Sequence, residues 1–180
     1  RWNKSQLDNI KAFSEEYQPA DAISWYTANS FIFRLMNTAI RTNDYYLIYL
    51  VRFYIVDLCK QIEMTSTKLL SPTTCSRLYR GQIIHENELE KLKRNVGNLI
   101  SPNGFFSTSK DLKVALMFGE GGSAENKSIL FEVRLDPTEI HGEMIFGAPI
   151  EEFSRFPHEK EVLFSPRYST CFSPHSFKRY

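Results

Sequence analysis

From Trp2 to about Met64, apolar and aromatic residues return at intervals of three and four positions, as in Leu47, Leu50, Val51, Tyr54, Ile55 and Leu58, the repeat of one buried helix face. Turn and N-cap residue types at Gln18-Pro19, Ala28-Asn29-Ser30 and Thr42-Asn43-Asp44 divide this half into three or four short helices, with Ser30 and Asp44 as caps. The aromatic stripe of these helices is expected to be core. Beyond Ser71-Pro72 the repeat shortens: Arg77 to Gln82, Gly104 to Ser107, Ser128 to Leu135, Glu161 to Phe164 and Thr170 to Phe172 read as strands. A polar helix, Glu86 to Arg94, and an amphipathic helix, Asp111 to Phe118, interrupt them. Helices first and strands later predict an α+β fold, because the strict alternation of a doubly wound parallel sheet is missing. One domain over residues 1–180 is expected, about 1–68 helical and about 69–180 strand-rich.

Composition narrows the classes without naming a function. The 180 residues are 42% hydrophobic and 14% aromatic, enough for one domain with a substantial core. Basic and acidic residues nearly cancel at a formal charge of +1, so no overall field draws the chain to nucleic acid or an anionic membrane. The longest apolar stretch, Leu47 to Val56, is broken by Arg52 and falls short of the roughly 20 residues of a membrane span. A soluble, monomeric domain is expected, cytoplasmic or secreted; the missing initial Met makes it read as an excerpt of a longer protein. Cys59, Cys75 and Cys171 lack ligand spacing and indicate no disulfide framework, although Cys75 and Cys171 could meet in the fold. His85, His141, His158 and His175 are scattered, so no metal site is expected. The sequons at Asn3 and Asn126 carry little weight.

Three features of the strand-rich half belong together. In Leu78-Tyr79-Arg80-Gly81-Gln82 a strand arginine able to hold a phosphate precedes a glycine that lets a ligand approach the backbone. In Gly104-Phe105-Phe106-Ser107-Thr108-Ser109 an apolar strand ends in three hydroxyls; Thr108 or Ser109 would cap the next helix, leaving Ser107 to face a cleft. In Pro157-His158-Glu159-Lys160-Glu161 two carboxylates stand two positions apart at a strand entry. Extended chain would point both to one side, with Cα atoms roughly 6 to 7 Å apart. The cluster Gly119-Glu120-Gly121-Gly122 reads as a loop, since it does not join a strand to a helix in the dinucleotide-fingerprint manner.

Together these features resemble the R-S-E class of ADP-ribosyltransferases, and within it the arginine-specific animal type with a Glu-x-Glu signature. The likeness extends to Ala22-Ile23, Tyr26-Thr27, Asn37, Ala39 and Arg41, and to Ile150, Phe153-Ser154 and Phe156-Pro157. It covers roughly Pro19 to Pro166, and the 27 positions from Arg80 to Ser107 and 54 from Ser107 to Glu161 suit the class. The resemblance implies an N-terminal helical subdomain followed by a two-sheet β core whose cleft binds NAD⁺ as co-substrate, without metal. It also implies an enzyme that transfers ADP-ribose to arginine side chains of a protein acceptor.

By the same resemblance Glu161 stabilises the cationic ribose and Glu159 orients the acceptor guanidinium. Arg80 holds a phosphate or ribose, the Gly81 backbone holds the nicotinamide carboxamide, and Ser107 positions Arg80, Glu161 or the ribose. Phe118 is a candidate to stack on nicotinamide, although a large side chain at its helical spacing is more commonly core. Mutual repulsion is expected to raise one pKa of the Glu159 and Glu161 pair. An NAD⁺ glycohydrolase and a non-catalytic nucleotide- or protein-binding domain are the competing readings.

Overall fold

The computed structural model describes residues 4–66, 76–100, 102–135, 147–166, 170–171 and 177–179. The Ser71-Pro72 boundary, Cys75, His141, His175 and the Asn3 sequon lie outside them. Four helices come first: α1 (Lys4–Glu16), α2 (Ala22–Thr27), α3 (Phe31–Thr42) and α4 (Tyr45–Thr65), with a 3₁₀ turn at Pro19–Asp21. Ser30 and Asp44 do cap α3 and α4, accepting hydrogen bonds from the amides of Phe33 and Leu47. Asn43 ends α3 in the left-handed conformation that its residue type tolerates.

The second half carries β1 (Ser76–His85), α5 (Glu86–Arg94), β2 (Leu99–Ile100), β3 (Phe106–Ser109), α6 (Leu112–Gly119), β4 (Asn126–Leu135), β5 (Gly147–Pro149), β6 (Glu161–Phe164), β7 (Thr170–Cys171) and β8 (Phe177–Arg179). Six strands form an antiparallel sheet in the order β5-β6-β3-β1-β4-β8, and β2 pairs separately with β7. The fold is α+β, with the helices leading. The large sheet has a seam: β1 runs in register with β4 along its whole length, whereas β1 and β3 share one registered pair, Tyr79 with Ser109. The halves β5-β6-β3 and β1-β4-β8 are therefore held together at one point of the ladder, and Arg80, Ser107 and Glu161 flank it.

Phe13, Ile23, Met36, Tyr54, Leu58 and Ile62 from the helices pack on Ala148, Ile150 and Leu163 of the sheet half that holds β6. Each of the large aliphatic or Phe side chains among them contributes about 1.5–3 kcal/mol by leaving water. Polar bonds within this core fix α2 against α4: the Tyr54 hydroxyl donates to the Ala22 carbonyl, and the Ile23 amide donates to Gln61 Oε1, both at 2.9 Å. On the opposite sheet face Leu78, Val133, Leu135, Val162 and Phe164 form a second cluster, and α5 closes a third through Leu89.

The aromatic residues of the helices are not all core. α4 buries Val51, Tyr54, Leu58 and Ile62 but leaves Tyr45, Tyr46, Tyr49, Leu50 and Phe53 exposed, because α2, α3 and β5 cover only one side of a helix that is apolar around most of its circumference. Cys59 packs against the helical core. No helix among the described residues is long and apolar enough to cross a membrane, and no group of three His, Cys, Asp or Glu among them could hold a metal ion.

Candidate active site

The site grows from the seam between β1 and β3. Where the ladder stops, the carbonyl of Ser107 accepts a hydrogen bond from Arg80 Nη1 at 2.8 Å, so a side chain bridges the two strands beyond their one registered pair. Arg80 Nε donates to Gln82 Oε1 at 3.1 Å, and the guanidinium carbon stands 5.0 Å over the Phe106 ring, within cation–π range. Two of the five guanidinium donors are thus committed to holding the group in place. Burial pushes Arg80 down from its ordinary pKa, opposed by Tyr26 and Glu161.

Glu161 opens β6 opposite Ser109 and is only 8% exposed. Its carboxyl is pushed up to about 7, first by burial; the Ser107 hydroxyl and Arg80 pull it down and Glu159 pushes it further up. Repulsion within the carboxylate pair was expected to be the cause of such a shift, but removal from water outweighs it. Tyr26 of α2, buried at 5% exposure, lies within electrostatic range of both Glu161 and Arg80. Desolvation and the nearby Glu161 charge raise its hydroxyl pKa. In the sequence Tyr26 belongs to the family likeness and not to the candidate site, because a buried aromatic on a helix carries the same periodic signal whether it fills a core or lines a cleft.

The two carboxylates do not share one face of an extended strand. Glu159 sits in a 3₁₀ turn, Pro157–Glu159, and Lys160 takes a left-handed conformation at φ 47°. A residue with a Cβ resists that region by about 1–2 kcal/mol. The turn survives because the Lys110 amide donates to the Lys160 carbonyl and the Glu159 amide to that of Phe156. The turn between the carboxylates leaves Glu161 buried and Glu159 half-buried.

Neither Thr108 nor Ser109 caps α6: Asp111 does, accepting from the Lys113 amide, while Thr108 donates to the Val162 carbonyl. Gly81 is required by packing on its side-chain face, since a methyl group built there would overlap the Ala115 carbonyl and stand 2.8 Å from the Gly119 amide nitrogen. That face belongs to α6 and not to an approaching ligand. Phe118, where spacing favoured core, is 61% exposed on α6.

Ser107, Arg80 and Glu161 therefore meet, with Glu159 close enough to act on Glu161. A buried carboxylate beside a fixed arginine can stabilise a cation forming next to it while the arginine holds an anion. The first test concerns Ser107: its hydrogen bond favours the ionised carboxyl, so Ser107→Ala is expected to move the Glu161 titration upward from about 7. A pH titration of both proteins, followed by the carboxyl's carbon resonance, checks this; an unchanged or lower midpoint contradicts it.

No curated protein matches the chain in sequence. Among solved structures, the Vis toxin, an ADP-ribosyltransferase from Vibrio splendidus, is 21% identical, with a TM-score of 0.58 over 94% of this chain and 77% of the toxin. Vis has also been crystallised with agmatine. The ADP-ribosyltransferase HopU1 of Pseudomonas syringae pv. tomato is 16% identical, with a TM-score of 0.62 over 98% of this chain and 81% of HopU1. The Clostridium limosum C3 exoenzyme is 18% identical, at 0.59 over 96% and 88%. At such identities the likeness is one of fold. The family itself is fixed by sequence: the family model described as NAD:arginine ADP-ribosyltransferase matches residues 1–174, and the chain belongs to that family of NAD⁺-dependent ADP-ribosyltransferases.

Proposed function

We propose that residues 1–180 form one catalytic domain in which Glu161, Arg80 and Ser107 cleave NAD⁺ and Glu159 directs the ADP-ribose to the guanidinium of an arginine on a protein acceptor. The observation that carries this reading is the pairing of a buried carboxylate with a half-buried one two residues away, the first within electrostatic reach of an Arg80 guanidinium that is itself fastened to the Ser107 carbonyl. Breaking the bond between nicotinamide and ribose puts positive charge on the ribose carbon and ring oxygen, as in glycoside hydrolysis. An ionised Glu161 stabilises that charge. The cationic nicotinamide of the bound dinucleotide favours the ionised form too, so a carboxyl at about 7 in the free protein titrates lower with NAD⁺ in place.

Arg80 is already bonded to Gln82 and Ser107, which leaves remaining N–H groups for a phosphate or ribose oxygen. Gly81 contributes through its backbone, and exposed Phe118 on the adjoining α6 supplies a ring for nicotinamide. The partial exposure of Glu159 supports an acceptor-side role for it. A guanidinium is too cationic to attack until a carboxylate orients it and takes its proton, which a half-exposed acid can do and a buried one already used on the ribose cannot.

Glu159→Gln tests the division of labour. With NAD⁺ and agmatine, the guanidine seen with Vis, the variant is expected to lose about a hundredfold in guanidine adduct while keeping nicotinamide release within a few-fold. Chromatographic measurement of both products decides it. Equal loss of both would assign Glu159 to the cleavage step, and nicotinamide release without any adduct from the unmodified protein would make it an NAD⁺ glycohydrolase.

A further inference from the structure

The three consecutive hydroxyls of β3 have three different partners. The Ser107 hydroxyl favours the ionised form of the Glu161 carboxyl, and Thr108 donates to the Val162 carbonyl inside the β3–β6 ladder. Ser109, 5% exposed, donates to the Glu159 carbonyl at 2.7 Å and accepts from the Asp111 amide at 2.9 Å. Asp111 in turn caps α6 with one carboxylate oxygen and meets Lys160 Nζ at 3.5 Å with the other. The turn carrying Glu159 is thus fastened to the start of α6 through one hydroxyl, one backbone bond from Lys110 and one ion pair. Of these, the Ser109 bond alone lands on Glu159 itself, and its donor side chain is buried.

We infer that Ser109 is the positioning residue for the acceptor carboxylate: clamped between Asp111 and Glu159, its hydroxyl fixes the turn that presents Glu159 and so sets the partition of ADP-ribose between a guanidine and water. The inference rests on the reading of Glu159 as the acceptor-side acid. Its physical basis is that the turn contains a left-handed lysine and is disfavoured without external bonds. Without the Ser109 bond, Glu159 samples other orientations, while Glu161, held in the β6 ladder and by Ser107, stays in place. Water needs no such orientation to capture the ribosyl cation, so hydrolysis suffers less than transfer.

The test compares unmodified protein, Ser109→Ala and Ser109→Thr, each with NAD⁺ and agmatine, scoring nicotinamide, free ADP-ribose and the guanidine adduct. In Ser109→Ala the ratio of adduct to free ADP-ribose is expected to fall about tenfold and the agmatine KM to rise, a loss of the size of one buried hydrogen bond. Ser109→Thr, which keeps the hydroxyl, is expected to restore both. An unchanged ratio in Ser109→Ala, a proportional fall of all products, or a threonine variant as impaired as the alanine one would each overturn the inference. Failure of the underlying reading looks different: the unmodified protein would then release nicotinamide and form no adduct.

Discussion

Glu161→Gln is expected to abolish most NAD⁺ cleavage and, at the same time, to make the folded protein more stable above neutral pH. The loss of cleavage is about a hundredfold or more, the usual effect of removing one fixed group from a developing charge. The stability gain follows from linkage. Glu161 titrates at about 7 when folded, above its ordinary value of 4.5, so between those two values the native state holds a proton that the unfolded chain has released. Stability therefore falls as pH rises from about 4.5 to about 7 and is level outside that window. At about 1.4 kcal/mol per pKa unit, the ionised carboxyl costs the native state about 3 kcal/mol above pH 7. Glutamine keeps the shape and an oxygen for the Ser107 hydroxyl but has no proton to lose. Denaturant unfolding at several pH values checks this: the variant and the parent should coincide near pH 4 and separate steadily up to pH 7. A variant less stable at pH 8 would show that the buried charge is compensated more fully than burial implies. The same carboxyl gives kcat/KM an acid limb near pH 7, with activity lost as the pH falls.

Much of this site was legible because its residues lie at the ends of strands with ordinary patterns. The α5 helix at Glu86–Arg94 and β6 at Glu161–Phe164 stand where periodicity puts them, and Ser30 and Asp44 are caps by residue type alone. β2, β5 and β8 carry no such signal: two or three residues cannot show a period of two, and Pro149 inside β5 argues against a strand until its position at the sheet edge is known. The turn between Glu159 and Glu161 was hidden for another reason. Left-handed backbone is signalled by glycine or asparagine, and here a lysine adopts it, held by bonds from residues some fifty positions earlier. The seam in the sheet belongs to the same class, since a ladder that breaks after one pair is a property of two strands far apart in sequence.

Ligand approach and packing against α6 both call for a glycine at position 81, and Gly81→Ala separates the two explanations. If the glycine existed only to let NAD⁺ approach, alanine would leave the fold unchanged and weaken binding. The packing predicts otherwise. The added methyl group overlaps the backbone carbonyl of Ala115 and crowds the amide of Gly119, both in α6, so no side-chain rotation relieves the contact and the helix itself must move. A forced backbone shift of this kind costs about 3 kcal/mol. For a chain of this size that lowers the melting temperature on the order of 10 °C. The displacement also travels to the start of α6, where Asp111 meets Ser109 and Lys160, and so reaches the turn that holds Glu159. Gly81→Ala is therefore expected to lose stability without NAD⁺ present and to lose guanidine transfer more than nicotinamide release. Thermal unfolding of the ligand-free protein decides between the explanations, because a melting temperature equal to the parent's is possible only if α6 does not rest on residue 81.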